Sequence, residues 1–244
     1  MDDLILENEP EAAEKRGCPA ATCSGSLDLR LGCCMDVMRT FPDGYFDLAI
    51  VDPPYGINFA KTHTGNGWIV RESKEWDKET PSPEYFAELR RVSKDQIIWG
   101  ANYMVENLLP SMGWIFWDKG QRNFSLADGE LAFTSFGRAL RVFDCPRGVA
   151  NAEEKIHPTQ KPVKLYDWLL ANYAKPGMRI LDTHLGSGSH AIAAHYAGMH
   201  LTACEIDPDY FAAASARIER ETRQTDFFSL RNTEGLASPA GSEL

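Results

Sequence analysis

The sequence lacks the hallmarks of several protein classes. No apolar stretch in its 244 residues approaches the ~20 residues that a membrane-spanning helix needs, so a membrane protein is not expected. Its six cysteines include no Cys-x-x-Cys pair, and we predict reduced thiols rather than a metal site. The amino terminus is acidic instead of basic and apolar. We therefore expect no secretory signal and a cytoplasmic protein.

Positive charge is also scarce. The formal net charge of −10 argues at first against a polyanionic partner such as nucleic acid. Most of this charge lies at the two ends, because residues 1–16 and residues 205–244 contribute −4 each. Eight lysines and arginines, by contrast, lie between residues 119 and 164. A local basic patch on the body of the protein therefore remains compatible with nucleic-acid binding.

Short apolar runs alternate with helical patterns along the chain. Strand patterns occupy residues 27–34, 45–52, 96–100, 113–120, 178–182 and 200–207, with helical patterns between several of them. Such alternation predicts an α/β fold with a doubly wound, mostly parallel sheet. We expect one domain over residues 27–222, between an acidic flexible tail (1–26) and a flexible C-terminal tail (223–244).

Four segments carry more specific expectations. Residues 56–81 have no hydrophobic period and predict a long mobile loop. Residues 121–155 look irregular apart from a hairpin that would pair "ELAFTSF" with "ALRVF". A short helix is expected over residues 103–109, and the last helix is expected to end near Glu221.

The stretch "DLAIVDPPYGINF" (residues 47–59) ends a buried strand on a carboxylate, two prolines and a tyrosine. Pro53 and Pro54 have no N–H donors, so the backbone here is stiff and presents acceptors only. The carboxylate of Asp52 and a neighbouring carbonyl can thus accept hydrogen bonds from both N–H groups of an –NH2 group. Tyr55 can stack on a flat ring. A proline turn that merely ends the strand is the alternative.

A second pattern follows the strand at residues 178–182. Gly186 and Gly188 in "LGSGS" allow the backbone and the following helix N-terminus to approach a ligand closely. Glu205 ends the next strand, where a carboxylate can bind two ribose hydroxyls. This pattern predicts a nucleoside site, with a ligand-free tight turn as the alternative. The third glycine of a dinucleotide fingerprint is missing, which disfavours a nicotinamide dehydrogenase.

Together the two patterns predict one reaction. Ligands of doubly wound sheets bind beyond the carboxyl ends of the strands, where both patterns would lie. An amino group on an aromatic ring is a poor nucleophile, because its lone pair is delocalised into the ring. Two acceptors that receive hydrogen bonds from both of its N–H groups free that lone pair. The positive charge that develops on its nitrogen would face Asp52. A sulfonium methyl group held in line by the nucleoside site would be the electrophile.

At this point the sequence resembles a known family, the S-adenosylmethionine-dependent amino-methyltransferases of DNA. "DPPYG" (52–56) resembles their catalytic motif and "LDTHLGSGS…ACEID" resembles their cofactor motif, with "HPTQKP" (157–162) between the two. This order is similar to the circularly permuted beta class and, within it, to small phage-type or orphan adenine-N6 enzymes. The resemblance covers residues 27–222. It implies a Rossmann-like fold and an enzyme that acts on double-stranded DNA.

The resemblance also assigns roles to residues. The catalytic residues that it implies are Asp52, Pro53, Pro54 and Tyr55. The cofactor residues that it implies are Asp36, Thr159, Gln160, Lys161, Asp182, His184, Gly186, Ser187, Gly188, Ser189 and Glu205. Asp36 would bind the cofactor adenine, and residues 159–161 would lie beside its methionine tail. The candidate target-recognition region, residues 121–155, is short, so base readout would use few groups or a homodimer.

Other functions compete with this interpretation. Cytosine-N4 methylation is the nearest alternative, although that chemistry more often accompanies serine at the position of Asp52. RNA amino-methylation is disfavoured by the permuted motif order. A non-catalytic cofactor-binding partner subunit is a further alternative, and the intact Asp-Pro-Pro-Tyr motif argues against it.

Overall fold

The computed structural model describes residues 25–57, 77–123, 127–150 and 155–234, with side chains described as far as residue 223. The acidic tail and the centre of the expected long loop therefore lie outside the described residues. Within the described part of the chain, no helix is both long enough and apolar enough to cross a membrane.

A single mixed sheet forms the centre of the described structure. Its order is β1-β8-β7-β2-β3-β5-β4-β6, and every described strand except β5 runs in the same direction. This arrangement confirms the predicted α/β fold with a mostly parallel sheet. The strands are β1 (Ser26–Leu31), β2 (Phe46–Val51), β3 (Ser93–Trp99), β4 (Trp114–Asp118), β5 (Gly129–Thr134), β6 (Arg141–Asp144), β7 (Arg179–Asp182) and β8 (His200–Glu205).

Helices cover both faces of the sheet. They are α1 (Cys34–Arg39), α2 (Pro83–Val92), α3 (Arg147–Ala150), α4 (Val163–Tyr173), α5 (Ser189–Tyr196) and α6 (Pro208–Glu234). Strand β2 shows how the two layers arise, because side chains alternate along a strand. Leu48 and Ile50 join the hydrophobic cluster that contains residues of α4, α5 and α6. Ala49 and Val51 join the cluster that contains residues of α1 and α2.

The strand order reverses between β2 and β7. These neighbours pair in parallel, with Leu48 opposite Ile180 and Ala49 opposite Leu181. From β2 the chain passes through α2 to β3 on one side, whereas from β7 it passes through α5 to β8 on the other. The two connections leave a crevice at the carboxyl ends of β2 and β7, where open α/β sheets bind their ligands.

The hairpin expected within residues 121–155 is wrong. Strand β5 pairs antiparallel with β3 and β4, and β6 pairs in parallel with β4. Ala132, Phe133 and Thr134 are buried because β5 is inserted between two strands instead of lying at an edge. Much of the expected recognition region is therefore part of the sheet.

Two helix predictions also need correction. Residues 103–109 do not form one helix, since two short 3-10 turns (Ala101–Tyr103 and Val105–Asn107) are separated by Met104 in a non-helical conformation. Helix α6 continues past Glu221 to Glu234. Its sequence contains no glycine or proline after Pro208, and Gly235 is the first residue that disfavours a helix.

Helix α2 offers a test of the core. Leu89 is fully buried under the sheet, whereas Leu109 is 62% exposed. We expect Leu89→Ala to lower the free energy of unfolding by about 2–5 kcal/mol, because it leaves a cavity in a packed core. Leu109→Ala should change it by less than about 0.5 kcal/mol. Urea unfolding of both variants measures the difference, and equal effects would contradict this packing.

Candidate active site

A cavity of about 650 Å³ opens at the carboxyl ends of β2 and β7. The Asp52–Tyr55 segment lines one part of it, and the turn of Gly186 and Ser187, with Glu205, lines another. The structure thus brings both predicted patterns into one space. Thr159, Gln160 and Lys161 line the same cavity.

The Asp-Pro-Pro-Tyr segment follows β2 without secondary structure of its own. Because neither proline has an N–H, the first backbone donors after Asp52 belong to Tyr55 and Gly56. Both donate to Oδ1 of Asp77, at 2.9 and 3.0 Å. Asp77 is 4% exposed. It was not predicted as a site residue, because it lies in the segment 56–81, which has no hydrophobic period. Its carboxylate fixes the exit of the motif.

Both carboxylate oxygens of Asp52 have partners. Oδ1 accepts a 2.7 Å hydrogen bond from the Tyr55 hydroxyl, and Oδ2 lies 2.6 Å from Nζ of Lys161. The Lys161 side chain is 3% exposed, and its ammonium also donates to the Tyr55 hydroxyl oxygen at 3.0 Å. The resemblance implied that Lys161 lies beside the cofactor tail, but the structure directs its charge to the predicted catalytic carboxylate.

Glu130 and Lys119 extend this group of charges. Oε2 of Glu130 lies 3.0 Å from Nζ of Lys161, and Oε1 pairs with Lys119. Burial raises the pKa of Glu130, but the two ammonium groups outweigh that effect and lower the pKa to about 2. Burial lowers the pKa of Lys161, but Asp52 and Glu130 outweigh it and raise the pKa above its ordinary value. Neither Glu130 nor Lys119 belongs to a sequence motif.

The ring of Tyr55 is confined by residues that follow β3. Gly100 has φ +66°, and a Cβ added there would lie 2.0 Å from Cε1 of Tyr55. Tyr103 stacks on the same ring, with centroids 5.3 Å apart and planes at 14°. The ring that we expected to offer a stacking face therefore already contacts a second aromatic residue. Tyr103 is 45% exposed and lines the cavity.

The glycine turn is held by Glu205. Its Oε2 accepts from the N–H of Gly186 at 3.0 Å, and its Oε1 accepts from the N–H of Asp207 at the same distance. Gly186 has φ +53°, and a Cβ added there would meet nothing nearer than the carbonyl oxygen of His184 at 3.8 Å. The turn therefore presents bare backbone to the cavity. Each oxygen of Glu205 keeps capacity to accept a further hydrogen bond.

Asp182 supports the turn from beneath and does not line the cavity. The side chain is buried, with Oδ1 accepting from the N–H of His184 and Oδ2 bonded to Nδ1 of His190, both at 2.9 Å. His184 does line the cavity. Burial lowers the pKa of His184 to about 4 despite the nearby Asp182 charge, so its ring is neutral at neutral pH.

The two serines of the turn are buried beside helix α6. Ser187 and Ser189 are both buried and bond to each other through their hydroxyls at 3.0 Å. Arg217 of α6 donates to the carbonyl of Ser187 at 3.0 Å and to the Ser189 hydroxyl at 2.9 Å. Helix α6 thereby fixes the turn. Gly188 is packed against α6 as well, since a Cβ there would lie 2.9 Å from Ile218.

Asp36 is not brought into the cavity. Its carboxylate is exposed on α1 and pairs with Arg39 at 3.4 Å. The backbone that precedes α1, with Gly32, Cys33 and Cys34, lines the cavity in its place. One turn of helix carries the Asp36 side chain away from the carboxyl end of β1. The implied contact of Asp36 with a cofactor adenine is therefore not supported by its position.

Comparisons with known sequences found similarity to methylases. The family model of N6/N4 methyltransferases, described as DNA methylase, matches residues 139–216. YubD of Escherichia coli (strain K12), named as a methylase, is 25% identical over 213 residues, which span 77% of this chain and 88% of YubD. Residues 139–216 are therefore similar to the DNA methylases that this model describes.

Solved structures share the fold. M1.HpyAVI, in a complex with S-adenosylmethionine, has a TM-score of 0.54 at 19% identity, over 79% of this chain and all of that one. The cytosine-N4-specific PvuII DNA methyltransferase has a TM-score of 0.55 at 11% identity, over 82% of this chain and 92% of that one. These likenesses confirm the Rossmann-like methyltransferase fold.

Gly100 allows a test of how Tyr55 is confined. We expect Gly100→Ala to lower the free energy of unfolding by roughly 1–3 kcal/mol, because the new Cβ would overlap Tyr55 and occupy a left-handed conformation. Gly137→Ala is the matched control, since a Cβ there meets nothing within 4 Å. Urea unfolding measures both variants. A Gly100→Ala protein as stable as the control would refute the close approach of Tyr55.

Proposed function

We propose that this protein transfers a methyl group from S-adenosylmethionine to the exocyclic N6 of adenine in double-stranded DNA. One observation carries the proposal: the carboxylate of Asp52 and the backbone of the glycine turn line the same cavity. This shared cavity supports a direct transfer, in which Asp52 would bind the acceptor amine and the glycine turn would bind the donor nucleoside.

The residues of the glycine turn fit the proposed methyl donor. Gly186 presents bare backbone with open space beside it, and Glu205 has acceptor capacity for ribose hydroxyls. Thr159 and Gln160 would contact the methionine portion. Bound S-adenosylmethionine would supply an electrophilic methyl group on its sulfonium. The protein's contribution is then to hold the acceptor amine in line with that group.

Asp52 would act on the acceptor. Its Oδ1 accepts one hydrogen bond from Tyr55 and keeps capacity for another, so an amine can donate to it without displacing the tyrosine. Positive charge would develop on the amine nitrogen as its bond to the methyl carbon forms and the sulfur–methyl bond breaks, and the methylated nitrogen would then release one proton to solvent. The adjacent carboxylate, whose side chain is 18% exposed, stabilises that charge more strongly than a carboxylate in open solvent would.

A base in a duplex must leave the stack to reach this cavity. Extruding it costs a few kcal/mol, and stacking on an aromatic ring recovers ~1–3 kcal/mol. Tyr55 and the more exposed Tyr103 supply aromatic surface beside Asp52. Arg147 and Lys155 line the same cavity and would provide positive charge for the DNA backbone.

Cytosine-N4 methylation is the second candidate, because the fold is also similar to a cytosine-N4-specific enzyme. The acid at position 52 is our reason for preferring adenine. We further propose a short or relaxed recognition sequence. Residues 129–134 and 141–144 belong to the sheet, which leaves few residues between 121 and 155 to read bases, unless a homodimer contributes more.

The methylated product tests the target base. We expect labelled methyl groups from S-adenosylmethionine to appear in unmodified duplex DNA, and digestion to nucleosides to release N6-methyldeoxyadenosine. N4-methyldeoxycytidine would establish the second candidate instead. Competition with duplex RNA separates DNA from RNA activity. Absence of label from DNA would overturn the proposal, and mapping of the modified positions measures the length of the recognition sequence.

Asp52→Ala tests the catalytic carboxylate. We expect methyl transfer to fall by about 100-fold or more, because a preorganised electrostatic partner of the transition state is removed. Binding of S-adenosylmethionine, measured by calorimetry, should change little, since Asp52 lies on the acceptor side. Asp28→Ala is the control, as its exposed carboxylate pairs with Arg30 on β1. Full transfer by Asp52→Ala would overturn the catalytic role of Asp52.

A further inference from the structure

We infer that Glu130 is a positioning residue, which holds the Lys161 ammonium on one side of Asp52 so that the other side is free for the amine. The inference rests on the proposed function and extends it to a residue outside every motif. Glu130 acts through Lys161 and need not touch the substrate.

The three donors of the Lys161 ammonium are all in use. They are directed to Oδ2 of Asp52 at 2.6 Å, Oε2 of Glu130 at 3.0 Å and the hydroxyl oxygen of Tyr55 at 3.0 Å. An ammonium has three hydrogens, so these contacts fix its orientation. Without the Glu130 carboxylate, one hydrogen of a 3% exposed ammonium would lose its charged partner and the group could turn.

Strand β5 explains how Glu130 reaches this position. It is inserted antiparallel between β3 and β4, and Glu130 lies opposite Trp117 of β4. Lys119, just beyond β4, binds the second oxygen of Glu130. The carboxylate is therefore held by one cation on each side. Its position depends on the strand insertion that the sequence analysis did not foresee.

The arrangement has a consequence for the reaction. Methylation places positive charge on the acceptor nitrogen near Asp52, and a mobile ammonium at the same oxygen would repel it. Glu130 draws the Lys161 charge to Oδ2, while Oδ1 faces the Tyr55 hydroxyl, which is neutral. Loss of Glu130 should thus slow the transfer step and leave cofactor binding nearly unchanged.

The pH dependence of DNA methylation is a measurement that would not change if Glu130 had only a structural role. The titratable groups that contact Lys161 are Asp52, Tyr55 and Glu130. Tyr166 of α4 lies near Asp52 and Glu130, and its hydroxyl pKa is raised well above its usual range by burial and then by the carboxylates around it. Asp52 and Glu130 both raise the pKa of Lys161 against burial. Replacing Glu130 by an uncharged residue removes one of these two effects, so Lys161 would lose its proton at a lower pH.

Glu130→Gln therefore tests the inference. We expect kcat for DNA methylation to fall about 10- to 100-fold, as for a misplaced catalytic group, with calorimetric binding of S-adenosylmethionine changed less than about twofold. Because the protonated ammonium holds Asp52 through its hydrogen bond, activity should fall as Lys161 loses its proton, and in Glu130→Gln this fall should occur at a lower pH. Glu130→Asp, which keeps the charge, should recover part of kcat. Glu88→Gln is the matched control, because Glu88 is a similarly buried carboxylate, 16% exposed, that pairs with Arg91 away from the cavity.

The outcomes separate the two proposals. If the wild-type protein methylates DNA and Glu130→Gln has the same kcat and pH profile, only the inference fails. If the wild-type protein does not methylate DNA, the proposed function fails. Thermal unfolding shows whether each variant is folded. If both Glu130 variants unfold near the assay temperature while Glu88→Gln does not, Glu130 serves stability and the inference is also overturned.

Discussion

The parallel pairing of β2 with β7 is the contact on which the candidate site depends. These strands carry the Asp-Pro-Pro-Tyr segment and the glycine turn at their carboxyl ends, although about 130 residues separate the two motifs in the chain. Because the connections to β3 and β8 leave in opposite directions, none of the helices in the described part of the chain covers the point where the strands meet. A cavity forms there, and the groups proposed to bind the amine and the nucleoside both line it.

Charge in this cavity is arranged differently from charge in the chain as a whole. The protein carries a formal −10, yet Asp52, Lys161, Glu130 and Lys119 alternate in sign and balance one another. A buried charge is costly unless it is paired and hydrogen-bonded, so each of these groups requires its neighbour. The Asp52 carboxylate is thus one member of a series of charges whose geometry is set by three strands and the segment that precedes α4.

Local patterns predicted the fold class and the two motifs, because strand alternation, glycine turns and proline chemistry act over a few residues. Predictions that needed strand order were less successful. The hairpin in residues 121–155 was wrong, since β5 finds partners in β3 and β4 instead of β6. The position implied for Asp36 was not observed, because one turn of α1 rotates its side chain toward solvent.

The sequence alone determined which groups could do chemistry here: a carboxylate followed by two donor-free prolines, and glycines that expose backbone before a helix. The tertiary structure decided what those groups contact. Asp77, Tyr103, Glu130 and the ammonium of Lys161 reach the motif only through loop closure and strand insertion. Such contacts depend on the geometry of segments that are distant in the chain, so local sequence patterns do not predict them.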